Sequence, residues 1–256
     1  MKRILITNDD GVLSSGIVAA KNAVEDLADI TVVAPVTQQS AIGRALTLFK
    51  PLRLNKTSLC DGFGAYSVSG TPADAVEIGI FEVMDKKPDL VISGINVGHN
   101  TGKLELTTSG TISAAMEAAA FGIPSIAVSQ EVVNDEVKFE RHVNLDFTLT
   151  ERILHDTVEK ILDKGLPMGS DLLNLNIPAN SVNDDVLIVG LGERMYSPII
   201  DKRLDPRGKP YYWIGGEAFD DNPKGSDGYV LKVLKQPTLT PLKIDNTGNL
   251  DELKKW

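Results

Sequence analysis

Hydrophobic and polar residues alternate between strand-like and helix-like spacing over the first two-thirds of the chain. Short apolar runs that end at turn-forming residues predict buried strands. Such strands are predicted at 3–7, 30–35, 89–93, 124–129, 172–178 and 186–190, with weaker strand-like stretches around 46–54 and 64–69.

Between these strands, apolar residues recur at the period of one helical face, and capping residues mark several helix ends. The predicted helices cover 14–27, 70–84 (with Thr71 as N-cap, Pro72 in the first turn and Asp74 three residues after the cap), 109–122 (ending at Gly122) and 148–165 (with TLTE as a capping box and Gly165 as the end).

Strands that alternate with helices in this way predict an α/β fold, in which a mainly parallel sheet is covered by helices on both faces. From about residue 193 the helical periodicity fades, and residues 228–244 have the pattern of extended segments. We therefore expect a core over 1–192 and a β-rich C-terminal extension over 193–256 that pairs subunits.

The 256 residues carry a formal net charge of −9, which argues against binding to a nucleic-acid polymer or an anionic membrane. A protein this acidic needs a local cation or a nest of backbone amides to hold a phosphate. Cys60 is the only cysteine, so no disulfide framework is expected. Because the sequence has neither a membrane-length apolar run nor a signal-peptide pattern, we expect a cytoplasmic protein.

Polar segments follow several of the predicted strands. In an open parallel sheet, ligands bind beyond the carboxyl ends of the strands. Four segments are candidates for this position, and we expect them to converge on one rim: 8–11, 38–40, 93–96 and 109–111.

The adjacent carboxylates Asp9 and Asp10 have two interpretations. In the first they belong only to a turn, and one of them caps the next helix. In the second they hold a divalent ion, because two carboxylates this close are stabilised by a cation between them. Oxygen ligands favour magnesium, manganese or calcium over zinc, and Asn96 and Ser40 are neutral oxygen ligands that would complete such a site.

The Ser-Gly-Thr sequence at 109–111 also has two interpretations, a phosphate site at a helix start or a simple N-cap. Familiar phosphate motifs are absent from the sequence: there is no G-x-x-x-x-G-K-[ST], no G-x-G-x-x-G after the first strand and no G-x-S-x-G elbow. A phosphorelay receiver domain is excluded because the strand at 89–93 does not end in an acceptor aspartate.

Several longer stretches occur in a characteristic order along the chain. They are ILITNDDG, VVAPVTQQSAIGRALT, VSGTPADAV, PDLVISGINVGHNTG, SGTISAAMEAAAFGIPSIAVS and LLNLNIP, which span residues 4–178, together with TPL at 240–242. These stretches closely resemble the SurE family of metal-dependent survival-protein nucleotidases. The resemblance implies a Rossmann-like core with an extended C-terminal hairpin, and dimers or tetramers that exchange C-terminal elements. It also implies hydrolysis of nucleoside monophosphates, and it leaves open whether the 5′ or the 3′ phosphate is removed.

Carried onto this chain, the resemblance implies one divalent ion per subunit, magnesium or manganese, and a set of site residues. The chain departs from the family pattern at 35–37 and at 103–108, which leaves all four implied metal ligands in place. The implied metal ligands are Asp9, Asp10, Ser40 and Asn96, the implied phosphate-holding residues are Ser109, Gly110 and Thr111 together with Asn96, and the expected catalytic residues are Asp9, Asp10 and Asn96.

The expected function is metal-dependent hydrolysis of a phosphomonoester, with Asp9 or Asp10 accepting the proton of the attacking water. His99 is a candidate general acid for the leaving group, and the alternative is a solvated loop histidine. His142 and His155 are expected to be structural or exposed. Two other functions stay open: a short-chain polyphosphatase that uses the same site, and a non-catalytic regulator that binds nucleotide or metal.

Overall fold

A computed structural model of the chain describes residues 1–133 and 145–256. Eleven strands lie in these ranges, nine of them in one sheet and two in a separate hairpin. The strands are β1 (Arg3–Thr7), β2 (Asp29–Pro35), β3 (Leu54–Ser58), β4 (Gly64–Val68), β5 (Leu90–Val97), β6 (Ser125–Gln130), β7 (Leu172–Ile177), β8 (Leu187–Ile188), β9 (Tyr196–Leu204), β10 (Pro210–Ala218) and β11 (Thr238–Leu242).

Long helices connect the strands of the core, and short helical turns lie in the loops. Wider, π-helical turns follow α2 at Gly79–Val83 and α6 at Val230–Leu234. The helices are α1 (Ser15–Asn22), α2 (Pro72–Ile78), α3 (Glu105–Thr108), α4 (Gly110–Ala120), α5 (Thr148–Lys164), α6 (Asp227–Tyr229) and α7 (Leu250–Leu253).

The nine-stranded sheet has the order β3-β4-β2-β1-β5-β6-β7-β11-β8. Its central strands, from β4 to β7, are parallel, while β3 and β11 pair antiparallel with their neighbours β4 and β7. The predicted α/β fold with a mainly parallel sheet is therefore confirmed, as is a separate antiparallel hairpin, formed by β9 and β10.

Alternate residues of each central strand pack on opposite faces of the sheet. In β1, Ile4 and Ile6 pack with α1 and α5, whereas Leu5 packs with α2 and α4 on the other face. All three side chains are fully buried. Because both faces of the strand are covered, consecutive residues of its central part are apolar.

Several predicted elements are wrong in place or type. The stretch 46–54 is irregular, and the strand begins only at Leu54. The helix predicted to reach residue 27 ends at Asn22 and continues as turns. Residues 186–190 contribute only two strand residues. Much of the stretch 228–244 is helical, and within it only β11 is extended.

The capping box predicted at 148–151 is also wrong. The helix α5 begins at Thr148 itself, so its N-cap is Phe147, which makes no side-chain cap. Asp146 instead accepts a hydrogen bond from the Thr148 amide, at 2.9 Å. Asp146 therefore binds a free amide at the start of the helix, a role that the sequence pattern assigns to Thr148.

The division of the chain at residue 192 stays a prediction. The hairpin of β9 and β10 lies apart from the main sheet, and most of its residues are exposed. After the hairpin, however, β11 returns to the main sheet and pairs with β7. The end of the chain thus contributes to the core sheet as well as to the extension.

The start of α2 generates a testable prediction about stability. Asp74 accepts hydrogen bonds from the amides of Thr71, at 2.8 Å, and Thr47, at 2.9 Å, so it joins the capping box to an irregular loop. We expect Asp74→Ala to lower the free energy of unfolding by about 3 kcal/mol, because two amides lose a charged acceptor. Urea unfolding measures this change, with the exposed Asp163→Ala as the control. A loss below about 1 kcal/mol would contradict the assignment.

Candidate active site

The acidic pair lies just beyond β1, at the point where the chain reverses its direction of travel across the sheet. The chain passes from β1 to β2 on one side, whereas it passes from the neighbouring strand β5 to β6 on the other side. A crevice forms at the carboxyl edge of the sheet at such a switch point, and ligands bind there.

Other residues perform the structural roles that a turn would assign to the acidic pair. Asn8 braces the turn, since its side chain bonds both the amide and the carbonyl of Gly11. Ser14 caps α1 by accepting a hydrogen bond from the Ile17 amide. The capping interpretation of Asp9 and Asp10 is therefore wrong, and their carboxylates have other contacts.

The carboxylate of Asp9 is packed against the start of α4. Its Oδ1 accepts a hydrogen bond of 2.6 Å from the hydroxyl of Thr111. A Cβ atom added to Gly110 would lie 2.7 Å from the Cβ of Asp9 and 2.9 Å from its Oδ2, so no side chain fits there. The structure thus brings the Ser-Gly-Thr segment into direct contact with the acidic pair.

The carboxylate of Asp10 joins two more loops. Its Oδ2 accepts a hydrogen bond of 3.0 Å from the amide of Val97, at the end of β5. Its Oδ1 accepts one of 3.3 Å from the side chain of Gln38, in the loop after β2. The amide of Gln39 donates to the carbonyl of Asp9, at 2.7 Å. The expected convergence of the four segments is thereby observed.

Burial sets the charge state of Asp9. Only 6% of the residue is exposed. Loss of hydration, with the neighbouring carboxylate of Asp10 as the second cause, raises the pKa of Asp9 from its ordinary value of 3.8 to about 7, although the Thr111 hydroxyl acts in the opposite direction. Near neutral pH this carboxyl is easily protonated, and a cation would readily displace the proton.

Asn96 lies half-buried at the end of β5, where the strand is irregular. Its side-chain nitrogen donates to the carbonyl of Gly98, at 2.6 Å, so its oxygen is the atom that remains for a ligand. The pairing of β5 with β6 shifts register between Ser93 and Asn96. Gly94 permits this shift, because it has a φ of +140° and a Cβ there would lie 2.3 Å from the carbonyl oxygen of Val128.

Ser40 lies in an exposed loop that is attached to the site through its neighbours. The amide of Gly43 donates to the carbonyl of Thr108, at 2.9 Å, and Arg44 forms an ion pair of 2.6 Å with the buried Glu117 on α4. Ser40 is one residue beyond Gln39, whose amide donates to the carbonyl of Asp9. Its role as a metal ligand stays a prediction.

Ser109 is the N-cap of α4, where its hydroxyl accepts a hydrogen bond from the Ile112 amide at 3.2 Å. Ser109 therefore caps the helix, and a phosphate site at 109–111 stays a prediction. The first turn of α4 lies directly against Asp9.

His99 is only 4% exposed, so the interpretation as a solvated loop histidine is wrong. Its Nδ1 lies 3.1 Å from the hydroxyl of Thr101. Of the other two histidines, His155 is partly exposed and lies 3.3 Å from Asp26, whereas His142 is outside the described residues.

Asn100 organises the glycine-rich loop at 94–102, a role that was not predicted from the sequence. Its side chain donates to the hydroxyls of Thr111 and Ser129, and its backbone bonds the side chains of Asn174 and Asn176 on β7. A signal for this network was present, since two asparagines at alternate positions of a buried strand require polar partners.

The altered segment at 103–108 forms the single helical turn α3 and is tied to the C-terminal part of the chain. Asp227 is fully buried and accepts hydrogen bonds from the amides of Gly102, at 2.9 Å, and Gly192, at 2.6 Å. Burial raises the pKa of Asp227 in spite of these donors. This aspartate therefore fixes the loop that leaves the candidate site.

The fold and the site define an α/β protein with an acidic pair at the switch point of its sheet, in contact with the start of a helix. The family model described as Survival protein SurE matches residues 4–198. The chain belongs to the SurE family, as the resemblance of its motifs implied.

Two relatives that are named as 5'-nucleotidases match most or all of the chain. The "5'-nucleotidase SurE" of Methanobrevibacter smithii is 58% identical over 99% of both chains, and that of Methanothermobacter thermautotrophicus is 59% identical over 88% of this chain and 84% of its own length. The crystal structure of the SurE protein from Aquifex aeolicus matches with a TM-score of 0.80 and 36% identity, covering 99% of this chain and 97% of that one.

No helix in residues 1–133 and 145–256 has both the length and the apolar character of a membrane span. No group of three or more His, Cys, Asp or Glu residues in the same ranges is placed to hold a metal ion. A cation at the acidic pair would therefore need neutral oxygen ligands as well.

Gly110 generates a prediction about the site's shape. We expect Gly110→Ala to reduce divalent-ion binding by at least about tenfold, because the added methyl displaces the Asp9 carboxylate from its position. Titration with manganese measures the affinity. Gly64→Ala is the matched control, since a Cβ there meets nothing within 4 Å and its φ is not positive. Equal affinities for the two variants would contradict the prediction.

The raised pKa of Asp9 generates a prediction about pH. In EDTA-treated protein the folded state holds a proton on Asp9 up to about pH 7, whereas the unfolded chain releases it near pH 3.8. The folded state then binds more protons in this window, so stability falls as pH rises from about 4 to about 7. Thermal unfolding across this range should show the decline, and Asp9→Asn should remove that part of it. An identical pH profile for both proteins would count against the raised pKa.

Proposed function

We propose that this protein is a metal-dependent phosphomonoesterase that hydrolyses nucleoside 5′-monophosphates to a nucleoside and phosphate. The observation that carries the proposal is the contact between the buried Asp9 carboxylate and the start of α4 at Gly110 and Thr111. This contact combines a cation-seeking group with a phosphate-seeking group at one point of the crevice. The relatives from Methanobrevibacter smithii and Methanothermobacter thermautotrophicus, which are named as 5'-nucleotidases, support the same activity.

The residues present fit a single magnesium or manganese ion per subunit. Asp9 and Asp10 supply adjacent carboxylates, Asn96 has its oxygen available, and Ser40 lies on the adjoining loop. These are hard oxygen donors, which favour such ions. When bound, the ion would neutralise charge on the phosphoryl group and lower the pKa of a water molecule.

The chain's own residues account for orientation and proton transfer. The amides of Gly110 and Thr111, the Ser109 segment and the Asn96 side chain would position the phosphoryl oxygens. The oxygen of a water molecule forms a bond to phosphorus, the ester P–O bond breaks with its electron pair leaving on the nucleoside oxygen, and the water's proton passes to Asp9 or Asp10. A carboxylate that holds the ion is deprotonated and can therefore accept that proton.

The nucleoside oxygen that leaves must gain a proton. His99 is the proposed donor, because it is a buried histidine in the loop that follows Asn96. A test separates this role from a structural one: His99→Gln should lower kcat for AMP more than for p-nitrophenyl phosphate, whose leaving group needs no proton. An equal loss for the two substrates would contradict the proposed donor.

The exposed hairpin supports a further part of the proposal, a homodimer or homotetramer formed through the C-terminal region. Its strands carry large apolar side chains in water, including Ile200, Trp213 and Ile214, which are 58%, 61% and 82% exposed. An apolar surface of this size is typical of an interface. We also expect cleavage of 3′-monophosphates and a cytoplasmic location.

Phosphate release from AMP tests the proposed function. We expect activity with magnesium or manganese, loss of activity in EDTA, and a decrease of at least about 100-fold in Asp9→Asn and Asp10→Asn, because each removes a charged ligand or the proton acceptor. Asp163→Asn, an exposed carboxylate on α5, is the matched control.

The other outcomes of this assay identify the alternatives. No release from any phosphate ester with any divalent ion would contradict the proposal and favour a non-catalytic regulator. Faster turnover of tripolyphosphate than of AMP would favour a short-chain polyphosphatase that uses the same residues.

A further inference from the structure

A cavity that does not include the acidic pair opens on the same edge of the sheet. Its volume is about 250 Å³, and it lies among the loops that follow β5, β6 and β7. Its near wall is formed by Gly98, whose carbonyl accepts the hydrogen bond from Asn96. The segment from Asn96 to Gly98 therefore connects the cavity with the candidate active site. The polar lining of the cavity is His99, Glu131, Asn180, Tyr196, Lys232 and Lys235.

Among the described residues that line this cavity, two are lysines and one is a carboxylate. The buried carboxylate of Glu131 forms an ion pair of 2.7 Å with Lys232 and a longer one of 3.8 Å with Lys235. It also accepts a hydrogen bond of 3.1 Å from the amide of Ala179. Two ammonium groups thus face one carboxylate, in a protein whose net charge is −9.

The neutralisation of Glu131 does not require both lysines. Lys232 and the Ala179 amide already give the carboxylate close donors, whereas Lys235 lies beyond hydrogen-bond distance from it. Lys235 also has a left-handed backbone with a φ of +53°, where a lysine costs about 1 kcal/mol that a glycine would not. The ammonium group of Lys235 thus lines the cavity without a hydrogen bond to Glu131.

We propose that this cavity binds a second phosphate group carried by the substrate, while the first phosphate is cleaved at the acidic pair. This inference rests on the proposed function and narrows its substrates to molecules that carry two or more phosphate groups. β1 and β6 are two strands apart in the sheet, roughly 10 Å, so one small molecule can contact the loops that follow both strands. Two sources of a second phosphate share this chemistry: a nucleoside 3′,5′-bisphosphate and a short polyphosphate chain.

The experiment compares kcat/KM for AMP, adenosine 3′,5′-bisphosphate and tripolyphosphate in three variants. In Lys235→Met we expect the ratio of bisphosphate to AMP to fall about tenfold, because one charge-assisted contact is lost. In Glu131→Gln, which keeps the shape but removes the opposing charge, we expect the same ratio to rise. Lys164→Met, an exposed lysine at the end of α5, is the matched control and should leave the ratio unchanged.

The opposite directions of the two changes distinguish charge recognition from simple damage. A ratio that falls in both variants, or that changes in neither, would overturn the inference. If only the ratio of tripolyphosphate to AMP responds in this way, the second phosphate belongs to a polyphosphate chain. If only the bisphosphate ratio responds, it belongs to a nucleotide.

A binding measurement separates this inference from the proposed function. Calorimetric titration of EDTA-treated protein with adenosine 3′,5′-bisphosphate should show weaker binding in Lys235→Met and tighter binding in Glu131→Gln. If these shifts occur but AMP is not hydrolysed under any condition, the proposed function fails and the second phosphate site stands. If AMP is hydrolysed but neither affinity shifts, the second site fails alone.

Discussion

A carboxylate that water cannot reach must find a compensating charge elsewhere, and Asp9 is such a carboxylate. It lies beside a second carboxylate, and its contacts are a hydroxyl and the start of a helix. In the described parts of the chain, no lysine or arginine is among the groups that shift its pKa. At neutral pH Asp9 therefore either keeps a proton or meets a cation, and the proposed chemistry depends on that exchange.

The surrounding loops hold this carboxylate in place through contacts between distant parts of the chain. Asp10 joins the loops after β1, β2 and β5, and Asn100 joins the glycine-rich loop to α4, β6 and β7. Asp227 extends the same bracing to the C-terminal segment. Because these contacts link residues up to 125 positions apart, the site has no compact sequence motif.

Much of the fold and part of the site were predictable from the sequence, for different reasons. The strands of the core were predictable from local apolar runs. The rule that ligands bind at the carboxyl ends of strands predicted that Asp9 and Thr111 lie on the same rim. Local patterns failed where a nearby side chain competed, as when Asp146 took the capping role assigned to Thr148. They could not reveal Asn100, whose partners are set by the pairing of strands.

Proton release on metal binding tests the central claim most directly. If a cation displaces the proton of a buried Asp9, manganese binding at pH 6 should release about one proton per ion, and binding at pH 8 should release almost none. Calorimetric titration in two buffers of different ionisation enthalpy measures this number. Equal proton release at the two pH values, or manganese affinity that is unchanged in Asp9→Asn, would contradict the account.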